Sequence, residues 1–178
     1  MKEMIILVDN NDVEIGTIEK MEAHVKGMLH RAFSVFIFNS KGEMLLQRRA
    51  LQKYHSGGLW TNACCSHPNV GETLEEAVHR RLIHEMGFDC EVKEIKTFLY
   101  HAKLDKDLEE HELDHIFVGY YDKDPIINKD EVEQWKWVSV EELNKELITN
   151  PEKFTYWFRV AMGEILTPAE MEDFVNNK

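Results

Sequence analysis

Hydrophobic residues in this chain recur in short segments bounded by turn-forming residues, a pattern typical of β-strands. The segment 32–38 is apolar at nearly every position, which predicts a strand covered on both faces. Polar residues at 39–42 and a second apolar segment at 43–49 follow, and together they predict an antiparallel hairpin. Further strands are predicted at residues 4–8, 13–20, 59–65, 94–101, 110–121 and 134–138.

The clearest helical pattern lies at residues 73–86. Thr73 and Glu76 have the spacing of a capping box, and Gly87 is placed to end the helix. Helical periodicity puts its apolar residues on one arc: Leu74, Ala77, Val78 and Leu82. Shorter helices are predicted at 21–27, 140–147 and 155–166, and another begins at Thr167.

Two charged residues, Arg81 and Glu85, also lie within the apolar arc of this helix and face each other four residues apart. Charged groups are rarely buried unless they are paired or bound to a ligand. One explanation is a structural ion pair that locks the helix to the sheet. The other is a carboxylate for a metal beside a guanidinium for a phosphate. From the helix alone, the ion pair is the slightly better explanation.

The order of the elements favours an α+β fold. Strands and helices interleave along the chain, yet the predicted hairpins require antiparallel pairing, which a doubly wound parallel sheet lacks. With 178 residues and 43% hydrophobic content, the chain is long enough for one well-buried domain and too short to assume two. We therefore expect a single α+β domain over residues 1–178.

Composition narrows the classes of partner. A net charge of −12 argues against nucleic acid and anionic membranes, because both need clustered positive charge. No segment approaches the roughly 18 apolar residues of a membrane span, and the first apolar run is too short for a signal peptide. Three cysteines, two of them adjacent, make no disulfide framework. The expectation is a cytoplasmic, reduced protein, and the net charge does not exclude an anionic small molecule as its partner.

Candidate chemistry lies in two short segments with alternating polar side chains. In extended chain, Cys65 and His67 share one face, and so do Glu110 and Glu112. The face of the two glutamates continues into apolar residues, where carboxylates are costly unless they are paired or metal-bound. For the glutamates alone, a strand end that frays into solvent is the simpler explanation.

Nine histidines are many for a chain of this length. His24, His30 and His67 could join the two glutamates in a mixed imidazole–carboxylate site, whose donors suit Mn²⁺, Mg²⁺ or Zn²⁺. A cluster of Arg48, Arg49 and Lys53 is either a solvated hairpin end or a site for an anionic substrate. Four other histidines have no evident partner and are expected at the surface or in ordinary hydrogen bonds: His55, His79, His84 and His101.

Taken together, three motifs resemble those of the type I isopentenyl-diphosphate isomerases, a branch of the Nudix fold. They are TNACCSHP at 61–68, EHELDH at 110–115, and the pair His24 and His30 separated by five residues. The resemblance covers about residues 20–157. It implies a mixed β-sheet between helices, with a Nudix-like core at about 30–150 and C-terminal helices at 151–178 over the pocket.

The resemblance also implies a role for each matching residue. One divalent metal would be bound by His24, His30, His67, Glu110 and Glu112. Cys65 and Glu112 would be the catalytic pair, with Tyr100 hydrogen-bonding near Glu112. Glu85 would bind Mg²⁺ chelated by the substrate diphosphate, with Arg81 beside it. Lys20, Arg49 and Lys53 would hold the diphosphate, and Trp157 would cap the pocket.

The implied activity is the interconversion of isopentenyl and dimethylallyl diphosphate in isoprenoid biosynthesis, through a tertiary carbocation. Two other classes of protein compete with this one. A Nudix hydrolase of a nucleoside diphosphate derivative needs a dense carboxylate set, but Arg81 and His84 stand where such hydrolases carry glutamates. A catalytically inactive binding module should have lost some polar site residues, and none is missing. The isomerase, as a monomer, is the preferred hypothesis.

Overall fold

The computed structural model describes residues 2–165, so the helix predicted from Thr167 lies outside the described residues. The strands are β1 Met4–Val8, β2 Glu14–Glu19, β3 His30–Phe38, β4 Glu43–Arg49, β5 Trp60–Thr61, β6 Cys64–Ser66, β7 Val92–Lys103, β8 Glu109–Tyr120 and β9 Val132–Ser139. The helices are α1 Lys20–Lys26, α2 Leu74–Met86, α3 Val140–Thr149 and α4 Tyr156–Val160. No helix among the described residues is both long and apolar enough to cross a membrane.

The strands form one mixed sheet with β3 near its centre. On one side β3 pairs in parallel with β8, from His30 opposite Glu112 to Phe38 opposite Tyr120. On its other side it pairs antiparallel with β6, and with β1 at its first residue. β7 extends the sheet beyond β8, β2 extends it beyond β1, and β9 pairs along β4. The centre of the sheet is therefore assembled from strands far apart in sequence.

Two local strand predictions are corrected by this pairing. The turn after β3 forms, since the Gly42 N–H donates to the Asn39 carbonyl at 3.0 Å, but β3 and β4 pair only at Phe38 and Met44. The predicted strand 59–65 divides into β5 and β6. At the break, the Asn62 side-chain amide donates to backbone carbonyls of residues 35 and 64, in the manner of a strand partner.

Side chains of β3 alternate between two apolar layers, as a strand buried on both faces requires. Phe33, Val35 and Ile37 pack in the layer that contains the buried face of α2. Phe36 and Phe38 pack in the layer that contains α4. A mixed sheet with helices on both faces confirms the predicted α+β fold.

The ends of α2 also form as predicted. The Thr73 hydroxyl accepts the Glu76 N–H at 3.2 Å, while the Glu76 carboxylate accepts the Thr73 N–H at 2.9 Å, completing the capping box. Gly87 ends the helix with φ +71°. By contrast, the helix predicted at 155–166 is shorter, because α4 gives way at Ala161 to a π-helical turn.

Candidate active site and metal centre

A cavity lies where the middle of the sheet meets α4. Strand register brings its polar residues together: Glu112 on β8 lies opposite both His30 on β3 and Tyr100 on β7, and Ser34 on β3 lies opposite Cys65. The cavity is lined by Phe33, Arg49, Tyr54, His55, Cys65, Ser66, His67, Tyr100, Glu110, Glu112 and Trp157.

Three imidazoles converge on one carboxylate at the edge of this cavity. His24, His30, His67 and Glu112 are all buried, and each offers a donor atom within 4.8 Å of the others. The Nε2 atoms of His30 and His67 lie 3.4 and 3.0 Å from Glu112 Oε1. The Nδ1 atoms of His24 and His30 each form a hydrogen bond of 2.7 Å with a backbone carbonyl. These hydrogen bonds direct the Nε2 atoms into the cluster.

The missing hydrogen-bond partners and the protonation of these donors suit the binding of a divalent cation. The buried Nε2 atoms of His24 and His30 and the Oε2 atom of Glu110 have no hydrogen-bond partner among the described residues. Buried polar groups are rarely left unpaired, so a bound ion would satisfy them. Burial lowers the pKa of His67 to about 4, which keeps its imidazole in the neutral form that binds metals.

The carboxylate of Glu112 is held by partners on both oxygens. Burial would raise its pKa, but the adjacent imidazoles of His30 and His67 lower it well below the usual range. The Tyr100 hydroxyl donates to Glu112 Oε2 at 2.5 Å. Burial, followed by the negative charge of Glu112, raises the pKa of Tyr100 well above its usual value, so Tyr100 remains the donor of this bond.

The Cys65 thiol lies between two polar partners. Its Sγ–H donates to Asn62 Oδ1 at 2.9 Å, and the Trp157 indole N–H donates to Sγ at 3.1 Å. Ser34 Oγ lies 3.4 Å from Sγ and donates at 2.7 Å to Asp114, whose pKa burial raises well above its usual value. Burial raises the pKa of Cys65 to about 12, so it is a thiol at neutral pH.

A second polar cluster lies beside α2. Arg81 forms an ion pair with Glu85 at 2.5 Å and reaches Glu131 at 3.4 Å. Glu131 also binds Lys53, and the Gln47 amide donates to Glu85 at 2.8 Å. The ion pair considered for the helix is therefore present, inside a larger group of charges.

The remaining predicted cations lie near the cavity. The guanidinium of Arg49 stacks 5.2 Å from the centre of the Trp157 ring. Lys20 forms an ion pair with Glu3 at 3.1 Å and lies 5.0 Å above the Tyr54 ring.

The structure brings most of the predicted residues to one place and adds others. Cys65, His67, Tyr100, Glu110 and Glu112 meet at the cavity, whereas Glu85 and Arg81 belong to the second cluster. His55 is buried against Glu110, although no partner for it is evident in the sequence. Sequence reasoning also missed Ser34, Gln47, Asn62, Asp114 and Glu131. Of these, only Asn62 and Asp114 lie inside recognised motifs.

Comparison with known proteins shows the fold and the family of this chain. The NUDIX domain family matches residues 28–158. A structure of DR0079 from Deinococcus radiodurans aligns with a TM-score of 0.68 at 20% identity, covering 83% of this chain and 90% of that one, which shows a shared fold.

Relatives of higher sequence identity show which family within this fold the chain belongs to. The isopentenyl-diphosphate Delta-isomerase 2 of Photorhabdus laumondii subsp. laumondii is 55% identical over 89% of this chain and 90% of its own length. The isopentenyl-diphosphate Delta-isomerase of Serratia proteamaculans is 50% identical over 93% and 92%. The chain is a Nudix-fold protein. It belongs, within that fold, to the isopentenyl-diphosphate Delta-isomerase family.

Proposed function

We propose that this protein interconverts isopentenyl diphosphate and dimethylallyl diphosphate with Cys65 and Glu112 as its acid–base pair. Family membership supports the activity. One observation supports the assignment of these residues: a thiol lines the same buried cavity as a carboxylate that is hydrogen-bonded to a tyrosine. The reaction needs one group that gives a proton and another that takes one, and this cavity offers both.

The reaction requires one proton to be added and one to be removed, which matches the protonation states of Cys65 and Glu112. A proton added to the terminal alkene carbon leaves a tertiary cation at the branched carbon, and loss of a proton from C2 then forms the new double bond. At neutral pH Cys65 carries a proton and Glu112 carries none. The pair therefore has one proton to give and one base to accept. After a turnover the two have exchanged states, and proton exchange with solvent restores the thiol and the carboxylate before the next turnover.

A carbocation intermediate requires protection from water. Trp157 is 4% exposed, and its indole lies directly against the Cys65 sulfur. Its π face can also stabilise a cation by about 2 kcal/mol in a desolvated site. We propose that Trp157 caps the substrate and that Tyr100 orients Glu112 through the 2.5 Å hydrogen bond.

The proposed metal centre comprises His24, His30, His67, Glu110 and Glu112. When bound, a divalent cation would neutralise the two buried carboxylates and fix the orientation of Glu112. Mn²⁺, Mg²⁺ and Zn²⁺ are the candidates. The imidazoles themselves exclude water from one side of Glu112 and hold its carboxylate in place.

The diphosphate is proposed to bind over four cationic residues: Lys20, Arg49, Lys53 and Arg81. Lys53 and Arg81 share Glu131 in the described structure, so an incoming diphosphate competes with that carboxylate for both cations. Glu85, buried beside Arg81, is proposed to bind the Mg²⁺ that accompanies the diphosphate. The three cysteines are unpaired, which supports a reducing, cytoplasmic location.

Proton NMR of the purified protein with isopentenyl diphosphate and Mg²⁺ in D₂O tests the function. We expect dimethylallyl diphosphate to appear with deuterium incorporated from solvent. Release of inorganic phosphate or of an isopentenyl monophosphate would instead identify a hydrolase. An unchanged substrate in the presence of metal would contradict the proposal.

A further inference from the structure

His55 lies in the loop between β4 and β5 and is buried to 2% exposure. Its Nε2 atom is 2.9 Å from Glu110 Oε1, while His24 Nε2 is 3.3 Å from the other oxygen of the same carboxylate. His24, His55 and Glu110 therefore form a second group of buried donors, within 4.8 Å of one another, that shares His24 with the first.

The loop is shaped to direct His55 inward. Ser56, directly after it, has φ +51°, in the left-handed region that non-glycine residues rarely adopt. A Cβ at Gly57 would lie 2.6 Å from the Leu51 carbonyl, so the chain passes too close for any larger residue. The Arg49 guanidinium donates to the His55 carbonyl at 3.3 Å. These features hold the imidazole against Glu110.

An ordinary hydrogen bond does not account for the position of His55. Despite the short distance to Glu110, the geometry leaves His55 Nε2 without a hydrogen-bond partner among the described residues. The same holds for Nε2 of His24 and His30 and for Oε2 of Glu110. Nδ1 of His55 faces Ser56 Oγ at 3.2 Å, which leaves Nε2 as the atom directed into the cluster.

We propose that His55 is a fourth imidazole ligand of the metal centre, bound through Nε2 next to His24 and Glu110. This inference rests on the proposed metal centre and extends its donor set to four nitrogens and two carboxylates. Mg²⁺ prefers oxygen donors, whereas imidazole suits zinc and other transition metals. A resident transition-metal ion is therefore expected at this centre, with Mg²⁺ confined to the diphosphate.

The competing explanation is that His55 only donates a hydrogen bond to Glu110 and so orients a carboxylate ligand. Loss of such a partner also weakens metal binding by about 10- to 100-fold, so affinity alone does not separate the two. The number of coordinated imidazoles does separate them.

Proton NMR of the Co²⁺-loaded protein counts those imidazoles without use of activity. Each histidine bound through Nε2 gives one strongly shifted Nδ1–H signal that disappears in D₂O. We expect four such signals in the unmodified protein, three in His55→Ala and four in the control His79→Ala, which alters a histidine paired with Asp89 at the surface. A chelator competition should show at least about tenfold weaker binding for His55→Ala alone.

His55→Gln keeps the result decisive if the alanine variant does not fold, because glutamine can donate to Glu110 but supplies no imidazole. Three signals in this variant, with weakened Co²⁺ binding, support the ligand role. Three signals in the unmodified protein, or full affinity in His55→Gln, would overturn it while leaving the metal centre intact. Failure of the unmodified protein to bind Co²⁺ would overturn the metal centre as well, whatever the isomerase assay shows.

Discussion

The surroundings of Cys65 determine its protonation state. The Asn62 side-chain oxygen accepts a hydrogen bond from the thiol, the Trp157 indole N–H donates to its sulfur, and burial raises its pKa to about 12. Nearby, Asp114 has its pKa raised by burial, whereas the imidazoles around Glu112 lower that residue's pKa. The two proposed catalytic groups thus differ in protonation because one is surrounded by neutral donors and acceptors and the other by imidazoles.

Replacing Cys65 by alanine should remove one of the two proton transfers. We expect turnover to fall by about 10²- to 10⁴-fold, the usual contribution of a positioned acid or base. Circular dichroism and metal content should remain unchanged, because Cys65 is not among the grouped metal donors. Cys90→Ala, at a half-buried cysteine outside the cavity, is the matched control. Undiminished turnover in Cys65→Ala would exclude this thiol from the mechanism.

Glu112→Gln should lower both metal content and isomerisation, because the substitution removes a charge that two imidazoles and Tyr100 face. Metal analysis and the D₂O assay on the same preparation measure both effects. Glu109→Gln is the control, since Glu109 pairs with the exposed His101 instead. Full activity with metal bound in the Glu112 variant would disprove its catalytic role.

Glu131 should link stability to pH. Burial would raise its pKa, but the hydrogen bond and charge of Lys53 and the charge of Arg81 lower it to about 2, from 4.5. A carboxylate with a lowered pKa stabilises the fold above its unfolded pKa, and this stabilisation is lost as the pH falls through the folded value. The difference in unfolding free energy between the native protein and Glu131→Gln should therefore be largest above about pH 4.5 and shrink toward pH 2.

Urea titrations at pH 7, 4 and 3 measure that difference, and Glu75→Gln, at an exposed position on α2, is the control. A Glu131 difference that does not change over this range would contradict the linkage.

At the scale of elements, two glycines with positive φ flank α2, Gly71 before its start and Gly87 at its end, and they offer a direct comparison. A Cβ on Gly87 would lie 2.2 Å from the Ile126 carbonyl, whereas a Cβ on Gly71 would meet nothing within 4 Å. Gly71→Ala should cost only the strain of a left-handed residue, about 1–2 kcal/mol. Gly87→Ala should cost about 1–3 kcal/mol more, because the neighbouring backbone must move. Equal losses in urea unfolding would contradict this packing.

The same scale shows what the sequence can predict. The α2 helix, its capping box and its final glycine were predicted because their signals lie within a few residues of one another. The pairing of β3 was not, because its parallel partner β8 lies about 80 residues further along the chain, and no local signal favours that partner over the adjacent β4.

The same difference between local and long-range signals explains which site residues were predicted. The shared faces of Glu110 and Glu112, and of Cys65 and His67, follow from strand periodicity and are borne out in the cavity. His55 was missed because an irregular loop has no periodicity that would show where its side chains point. Glu131 was missed for a related reason, since its cations come from a distant loop and helix.

For the whole molecule, the proposed metal centre is a cross-link between elements. His24 comes from α1, His30 from β3, His67 from the segment after β6, and the two glutamates from β8. A ligand that binds only the folded state stabilises it by about 4 kcal/mol at a thousandfold excess over its dissociation constant. For a chain of this size that corresponds to a rise in Tm of about 10 °C.

Removal of the metal should therefore lower the melting temperature. We expect dialysis against a chelator to reduce the Tm by about 10 °C and stoichiometric Mn²⁺ to restore it. His24→Ala, which removes the imidazole common to both donor groups, should melt at the same temperature with and without chelator. The sign follows from the buried donors: without a cation, the Glu110 carboxylate and several imidazole nitrogens stay out of water with incomplete partners among the described residues. A native protein shown by mass spectrometry to carry the metal, yet with a Tm that does not respond to its removal, would contradict the cross-linking role.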